Sequence, residues 1–285
     1  MSEQNPPSVN PVPARPFSRR TALSFAAPGG IAATLRTAPQ NRDMLRVTAV
    51  QSCIRAVDAA NPRQRLKENL DHMLEFVDNA NGFPGPQDLV CVHEQPLMGW
   101  NPWTRAEALR LSIEVPGEET EALGKKARQY NCYILFATFA RDAAWPGHFL
   151  SLGVLSGPDG TVVARHSLTG TPMEPDIYRA LAIKGMKISL RTSSGGFTTE
   201  DPLTSSMFNR NYTVIPNNSI SPGNPGFPDA SGAGGTVIYA PDGWVLAKAQ
   251  TVNKAFVSAV IPIAEFWRTH RAISNRRNPG SCVRF

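Results

Sequence analysis

Short β-prone runs that end on polar side chains, separated by amphipathic helices, constrain this chain more than any other feature. Leu45–Ile54 reads LRVTAVQSCI, a strand's length of mostly apolar residues. Asp88–His93 reads DLVCVH and runs straight into Glu94. Between them, Pro62 stands at a plausible first helical turn, and Leu66, Leu70, Met73, Leu74 and Val77 recur on one face. The stretch NGFPGP at 81–86 ends that helix. Strand–helix–strand alternation of this kind predicts a sheet covered by helices.

The rest of the chain continues the pattern. A tryptophan-rich loop, Met98–Trp103, leads into a helical stretch through Leu111. Pro116-Gly117-Glu118-Glu119 opens another helix, with acids at its positive end and Lys125, Lys126 and Arg128 near its negative end. Asn131 closes it, and Cys132–Phe139 reads as the next strand. Strands near 150–155 and 161–166 flank Gly157-Pro158-Asp159-Gly160, a hairpin turn. Helix is expected at 175–184 and 201–209, and strand at 187–190, 212–216, 236–239, 244–247 and 255–261, with a last helix from Ile263. A second Pro-Asp-Gly turn stands at 241–243, and no repeat of solenoid period is present.

Composition narrows the function classes. With 41% hydrophobic and 18% charged residues the chain can bury a substantial core. No apolar run is long enough to span a bilayer, so no integral membrane segment is expected. The formal charge of +6 suggests a nucleic-acid partner until it is located. Residues 1–43 carry five arginines against Glu3 and Asp43, and residues 264–285 carry five against Glu265, leaving the body close to neutral. No nucleic-acid partner is therefore expected. The chain divides into a basic, proline-rich segment at 1–43, a folded domain at 44–270 and a coil tail at 271–285. Arg19-Arg20 ahead of a weakly apolar run resembles a twin-arginine export signal, which leaves two locations open, the cytoplasm or export.

Ala49-Val50-Gln51, Leu89–Glu94, Val115–Glu118, the Gly-Pro-Asp-Gly hairpin, Tyr178–Gly185, Tyr212–Asn218, Ser231–Gly235 and Ala240–Gly243 together cover about residues 44–270. In that order they resemble the nitrilase (carbon–nitrogen hydrolase) superfamily. The resemblance implies a four-layer α-β-β-α sandwich, assembly into homo-oligomers, and a small amide or nitrile as substrate. It also implies a glutamate, a lysine and a cysteine acting together. A thiolate attacks the carbon, the glutamate takes the thiol proton and later activates water, and the lysine supports the oxyanion. Glu94 falls at the family's glutamate position; the alternative is an ordinary strand-end carboxylate. Trp100 and Trp103 could line a pocket or pack in the core.

Two members of the set are missing from their expected places. Where an Arg-Lys pair should follow the strand at 161–166, the chain reads Arg165-His166-Ser167, with no lysine before Lys184. The cysteine should end a further strand shortly before the helix at Pro175. The short span from His166 to Pro175 leaves no room for a loop, a strand and a nucleophile turn at about 3.3 Å per residue. Counting back from Pro175 reaches Thr169, not a cysteine. Glu174 could be an auxiliary acid or a helix cap. Cys53 and Cys132 fall in expected strands, Cys282 in the tail, and alternation points Cys91 to the face opposite Glu94.

The sequence thus predicts a nitrilase-type fold with a shortened central region and impaired catalysis. Its alternatives are a non-catalytic assembly subunit and a basic-tailed binder of anionic surfaces. No metal and no nucleotide cofactor is expected, because no ligand spacing occurs and the Gly232–Gly235 loop lies between strands.

Overall fold

The computed structural model describes residues 43–276, apart from 84, 168–174, 197–199, 228 and 230–231. Thirteen of its elements follow the sequence closely. They are β1 (Leu45–Gln51), α1 (Pro62–Gly82), β2 (Leu89–Glu94), α2 (Arg105–Leu111), α3 (Glu118–Tyr130), β4 (Tyr133–Arg141), β5 (Phe149–Ser156), β6 (Val162–Ser167), α4 (Pro175–Ile183), β7 (Ile188–Leu190), α5 (Glu200–Asn209), β8 (Tyr212–Ile215) and β9 (Val237–Tyr239). The chain continues through β10 (Val245–Lys248), β11 (Ala255–Ile261) and α6 (Ile263–Arg276). The two-residue strand β3 (Ile113–Glu114), too short for any periodicity, was not foreseen.

Two sheets form. The first has the order β11-β1-β2-β4-β5-β6, with β3 beside the far end of β4. Its β1, β2 and β4 run parallel, joined by α1 and α3, while the hairpins β4–β5–β6 are antiparallel. The second has the order β10-β9-β8-β7, with β7 parallel to β8 and the remaining pairs antiparallel. Burial supplies the layering. Val50, Val90, Val92, Ile134 and Phe136 pack outward against Leu70, Met73, Val77, Leu123 and Ala127 of α1 and α3. Val47, Ala49, Cys91, Leu135 and Leu155 pack inward against Ile188, Val214 and Ile238 of the second sheet. Leu203 of α5 covers Ile215, Val237 and Tyr239 from the far side. Helix, sheet, sheet, helix is therefore the order of layers, as expected.

Local chemistry holds the helices where these layers need them. Thr104 and Glu107 cap α2 reciprocally, side chain to backbone in both directions. Asp78 of α1 accepts from Lys126 Nζ (2.7 Å) and from the Tyr130 hydroxyl (2.7 Å), tying α1 to α3. At the C-terminus the coil expected from residue 271 is instead helix as far as Arg276. The reason is that the first helix-breaking residue is Pro279, and a polar last turn is no obstacle to a helix. Residues 1–42 lie outside the described residues.

Candidate active site

Parallel strands of the two sheets end on one region, and the loops that follow them build the site. Glu94 is the last residue of β2. Its placement depends on a β-bulge. Cys91 pairs with Leu135 and Glu94 with Ala137, so three steps on β2 match two on β4. Alternation from Cys91 therefore fails. Leu135 and Ala137 share the inward face, so the bulge turns Glu94 to that same face, toward the second sheet. The expectation that Cys91 faces away from Glu94 is overturned.

The loop after β7 comes to meet it. Arg191 is clamped by Asp201 of α5 at 2.5 Å and lies over the Tyr178 ring of α4, which anchors the start of that loop. Arg191 and Ser193 donate their backbone N–H groups to Val214 and Pro216, extending the β7–β8 pairing past β7. Ser193 in turn accepts from the backbone N–H of Glu94 at 3.1 Å, a direct link between the sheets. Ser194 then donates its hydroxyl to Glu94 Oε2 at 2.9 Å. The indole Nε1 of Trp100 donates to the same Ser194 oxygen at 2.7 Å. Trp100 is held from behind as well, its backbone N–H bonding Asn224 Oδ1 (2.7 Å) and its ring meeting Phe139 edge-on. Glycine is required just before it. Gly99 has φ of 67°, and a Cβ there would meet Arg55 O at 2.7 Å.

A polar floor lies beneath this triplet. Asn218 Oδ1 accepts from the backbone N–H of Gly195 (2.7 Å), and Asn217 Nδ2 donates to the carbonyls of Gly195 (2.8 Å) and Gly234 (2.6 Å). His93, fully buried, bonds through Nδ1 to the carbonyl of Glu94 (2.8 Å) and through Nε2 to Ser52 Oγ (2.7 Å). A carbonyl only accepts, so Nδ1 carries the proton and Nε2 accepts from Ser52. Burial pushes the His93 pKa down to about 4, keeping the ring neutral.

Glu94 itself is largely buried, and desolvation raises its pKa; the hydrogen bond from Ser194 opposes that shift. Among the described residues no lysine or arginine offsets it. No described thiol bonds to Glu94 either. Cys53 lies beyond β1 rather than within it, its thiol directed at the carbonyl of Ile54. Cys132 precedes β4, packs on the helix side and has its pKa pushed up to about 12 by burial. Cys91 shares the Glu94 face but is buried among aliphatic side chains, where desolvation holds its thiol protonated.

The candidate residues separate accordingly. Glu94 and Trp100 are brought together through Ser194, a residue the sequence reading passed over. Trp103 goes elsewhere, donating its indole N–H to Val57 O (3.1 Å) and packing on the helix-side core. Glu174 and Thr169 lie outside the described residues. The only signal for Ser194 was the Ser-Ser-Gly-Gly run after β7, a loop signature with no chemistry of its own. Next to this loop, a cavity of about 40 Å³ opens between Leu190 and Thr192 on one side and Leu135, Gly153, Leu155, Ala164 and His166 on the other. It is large enough for a few waters.

Two sheets pack face to face with helices outside, and a carboxylate is presented inward at the end of a parallel strand. Residues 46–176 match the family described as carbon-nitrogen hydrolase. A mutant of the Nesterenkonia AN1 amidase from the nitrilase superfamily shares 18% identity with a TM-score of 0.63, over 84% of this chain and 98% of that one. A double mutant of that amidase in complex with acrylamide shares 17% identity with a TM-score of 0.63, over 84% and 98%. A further mutant, with the acetamide moiety of fluoroacetamide added covalently at the active-site cysteine, shares 18% identity with a TM-score of 0.62, over 81% and 95%. No curated protein matches the chain. Residues 46–176 thus match the carbon-nitrogen hydrolase family, and the fold is shared with amidases of the nitrilase superfamily. No described helix is long and apolar enough to cross a membrane.

Proposed function

We propose that the chain keeps the superfamily's cleft at Glu94 for small amide-like carbonyl compounds but turns over C–N bonds poorly. One observation carries this reading: the Glu94 carboxylate is bonded to a serine hydroxyl, with no thiol and no cation beside it among the described residues. An amide needs a strong nucleophile, a proton for the departing nitrogen and support for the oxyanion. Glu94 alone supplies only the proton transfers. The acrylamide complex of the Nesterenkonia amidase supports the ligand class. Ammonia release from a panel of small amides and nitriles, beside an active amidase, is expected to run at least about 10³-fold slower. Acrylamide binding by calorimetry should persist in the wild type and weaken in Glu94→Gln. Amidase-like turnover lost in Cys91→Ala or Cys282→Ala would overturn the reading.

A second reading, an assembly subunit, is supported by the outer surface of the second sheet. None of the residues of α4 is buried. Ile183, Met207, Phe208 and Trp244 stand exposed on α4, α5 and the turn before β10, and Arg179 of α4 bonds the carbonyl of Phe208 to make one continuous face. A homo-oligomer built on that face is compatible with the first reading. Residues 1–43 would add export if the Arg19-Arg20 segment acts as a signal.

A further inference from the structure

Ser194 stands in the relation to Glu94 that an oxygen nucleophile holds to its base. Its hydroxyl has a single proton, and the 2.9 Å bond to Oε2 commits that proton to the ionised carboxylate. Its oxygen accepts from Trp100 Nε1 at 2.7 Å, so an indole dipole stabilises charge building on Oγ. One further lone pair of Oγ has no partner among the described residues. The three residues are each partly exposed rather than fully buried. Their backbones are fixed independently, Trp100 by Asn224, Glu94 by Ser193 and the Ser194 loop by Asn217, Asn218 and the Arg191–Asp201 pair. A serine that merely filled space would need none of this support.

The geometry points to Ser194 as a nucleophile activated by Glu94, giving the cleft an acyl-transfer activity on activated carboxylic esters. This rests on the reading of the Glu94 cleft as the binding site. In the first step the Oγ–C bond forms while the Ser194 proton passes to Glu94 Oε2 and the carbonyl π pair moves to oxygen. Collapse breaks the C–O bond to the leaving alcohol, which either takes the proton back from Glu94 or departs as a phenolate, in which case Glu94 releases that proton to solvent before the second step. Water then gives a proton to Glu94 as its oxygen attacks the acyl carbon. The Oγ–C bond breaks, Oγ recovers the proton, and the carboxylic acid leaves. Esters suit the site because a phenolate is a far better leaving group than an amide nitrogen, so it can be displaced without a cation at the oxyanion.

The test uses the full chain with p-nitrophenyl acetate and p-nitrophenyl butyrate. The acylated protein is trapped by acid quench, and the modified residue is located by mass spectrometry. Acyl mass is expected on Ser194. Ser194→Ala should lower the p-nitrophenol release rate by about 10²-fold or more, and Glu94→Gln by a similar factor. Ser194→Cys should still be acylated, at residue 194, and keeps the side-chain size that Ser194→Ala removes. The acylation rate should rise with pH as Glu94 ionises, and Glu94→Gln should flatten that rise. Acyl mass on another residue, or none on Ser194 with release unchanged in Ser194→Ala, would overturn the assignment. If acrylamide still binds in a Glu94-dependent way in that case, only the nucleophile is wrong; if it does not, the cleft reading fails too.

Discussion

His93 shows how a single side chain ties the stability of the site to pH. It is fully buried, holds the Glu94 carbonyl in place, and keeps its pKa near 4 against an ordinary value of 6.5. Between those two pH values the unfolded chain binds a proton that the folded chain refuses. Stability contributed by the neutral ring is complete above pH 6.5 and is lost as pH falls toward 4, by up to roughly 3 kcal/mol. Urea unfolding at pH 7 and pH 4.5 should therefore show the advantage of wild type over His93→Gln shrinking at the lower pH. An equal gap at both values would refute it. Glu94 shifts the other way, and its later ionisation sets the rise of any base-catalysed step. At this scale the sequence located Glu94, because a carboxylate closing an apolar strand is conspicuous. It misjudged Cys91, because a bulge changes side-chain parity and leaves no mark in composition. It passed over Ser194, because a serine acquires chemistry only from what folds against it.

Elements meet here through particular close approaches. Helix α3 lies on the β5–β6 turn because Gly124 has no side chain: a Cβ there would run into the carbonyl oxygen of Gly160. Arg128, one helical turn on, donates through Nε (3.1 Å) and Nη2 (2.5 Å) to the carbonyl of Asp159 and completes the dock. Gly124→Ala must push the helix off that turn and is expected to cost about 1–3 kcal/mol despite its better helix propensity, read as a lower urea midpoint. A gain in stability would show that the contact is loose. Periodicity made most elements visible, as with the α1 stripe from Leu66 to Val77. It was blind to β3, whose two residues pair with Ala140 and Arg141 only because β4 extends that far.

Across the whole molecule, the second sheet is the unfinished half. Among the described residues β7 pairs only with β8. A cavity lies between Leu190 and Thr192 and the first sheet's Leu135, Leu155 and His166, and the buried Thr192 Oγ1 has no partner among the described residues. The outer surface of this sheet presents Ile183 on α4, Phe208 on α5 and Trp244 in the turn before β10 at 75%, 72% and 75% exposure, the apolar surface on which the proposed homo-oligomer rests. Light scattering of the purified chain is expected to return a mass of at least a dimer. The double variant Ile183→Glu, Phe208→Glu should shift it toward the monomer with an unchanged circular dichroism spectrum. A monomeric wild type would remove the case for this interface.

Strand and helix order, the near-neutral body between two basic tails, and the carboxylate at the end of β2 were settled by the sequence alone, since each depends on residue types and spacing along the chain. Which side chains surround Glu94 was decided only in three dimensions. The bulge at 91–94, the loop after β7 and the Trp100 indole come from distant stretches, and a hydrogen bond between residues a hundred positions apart has no local signature.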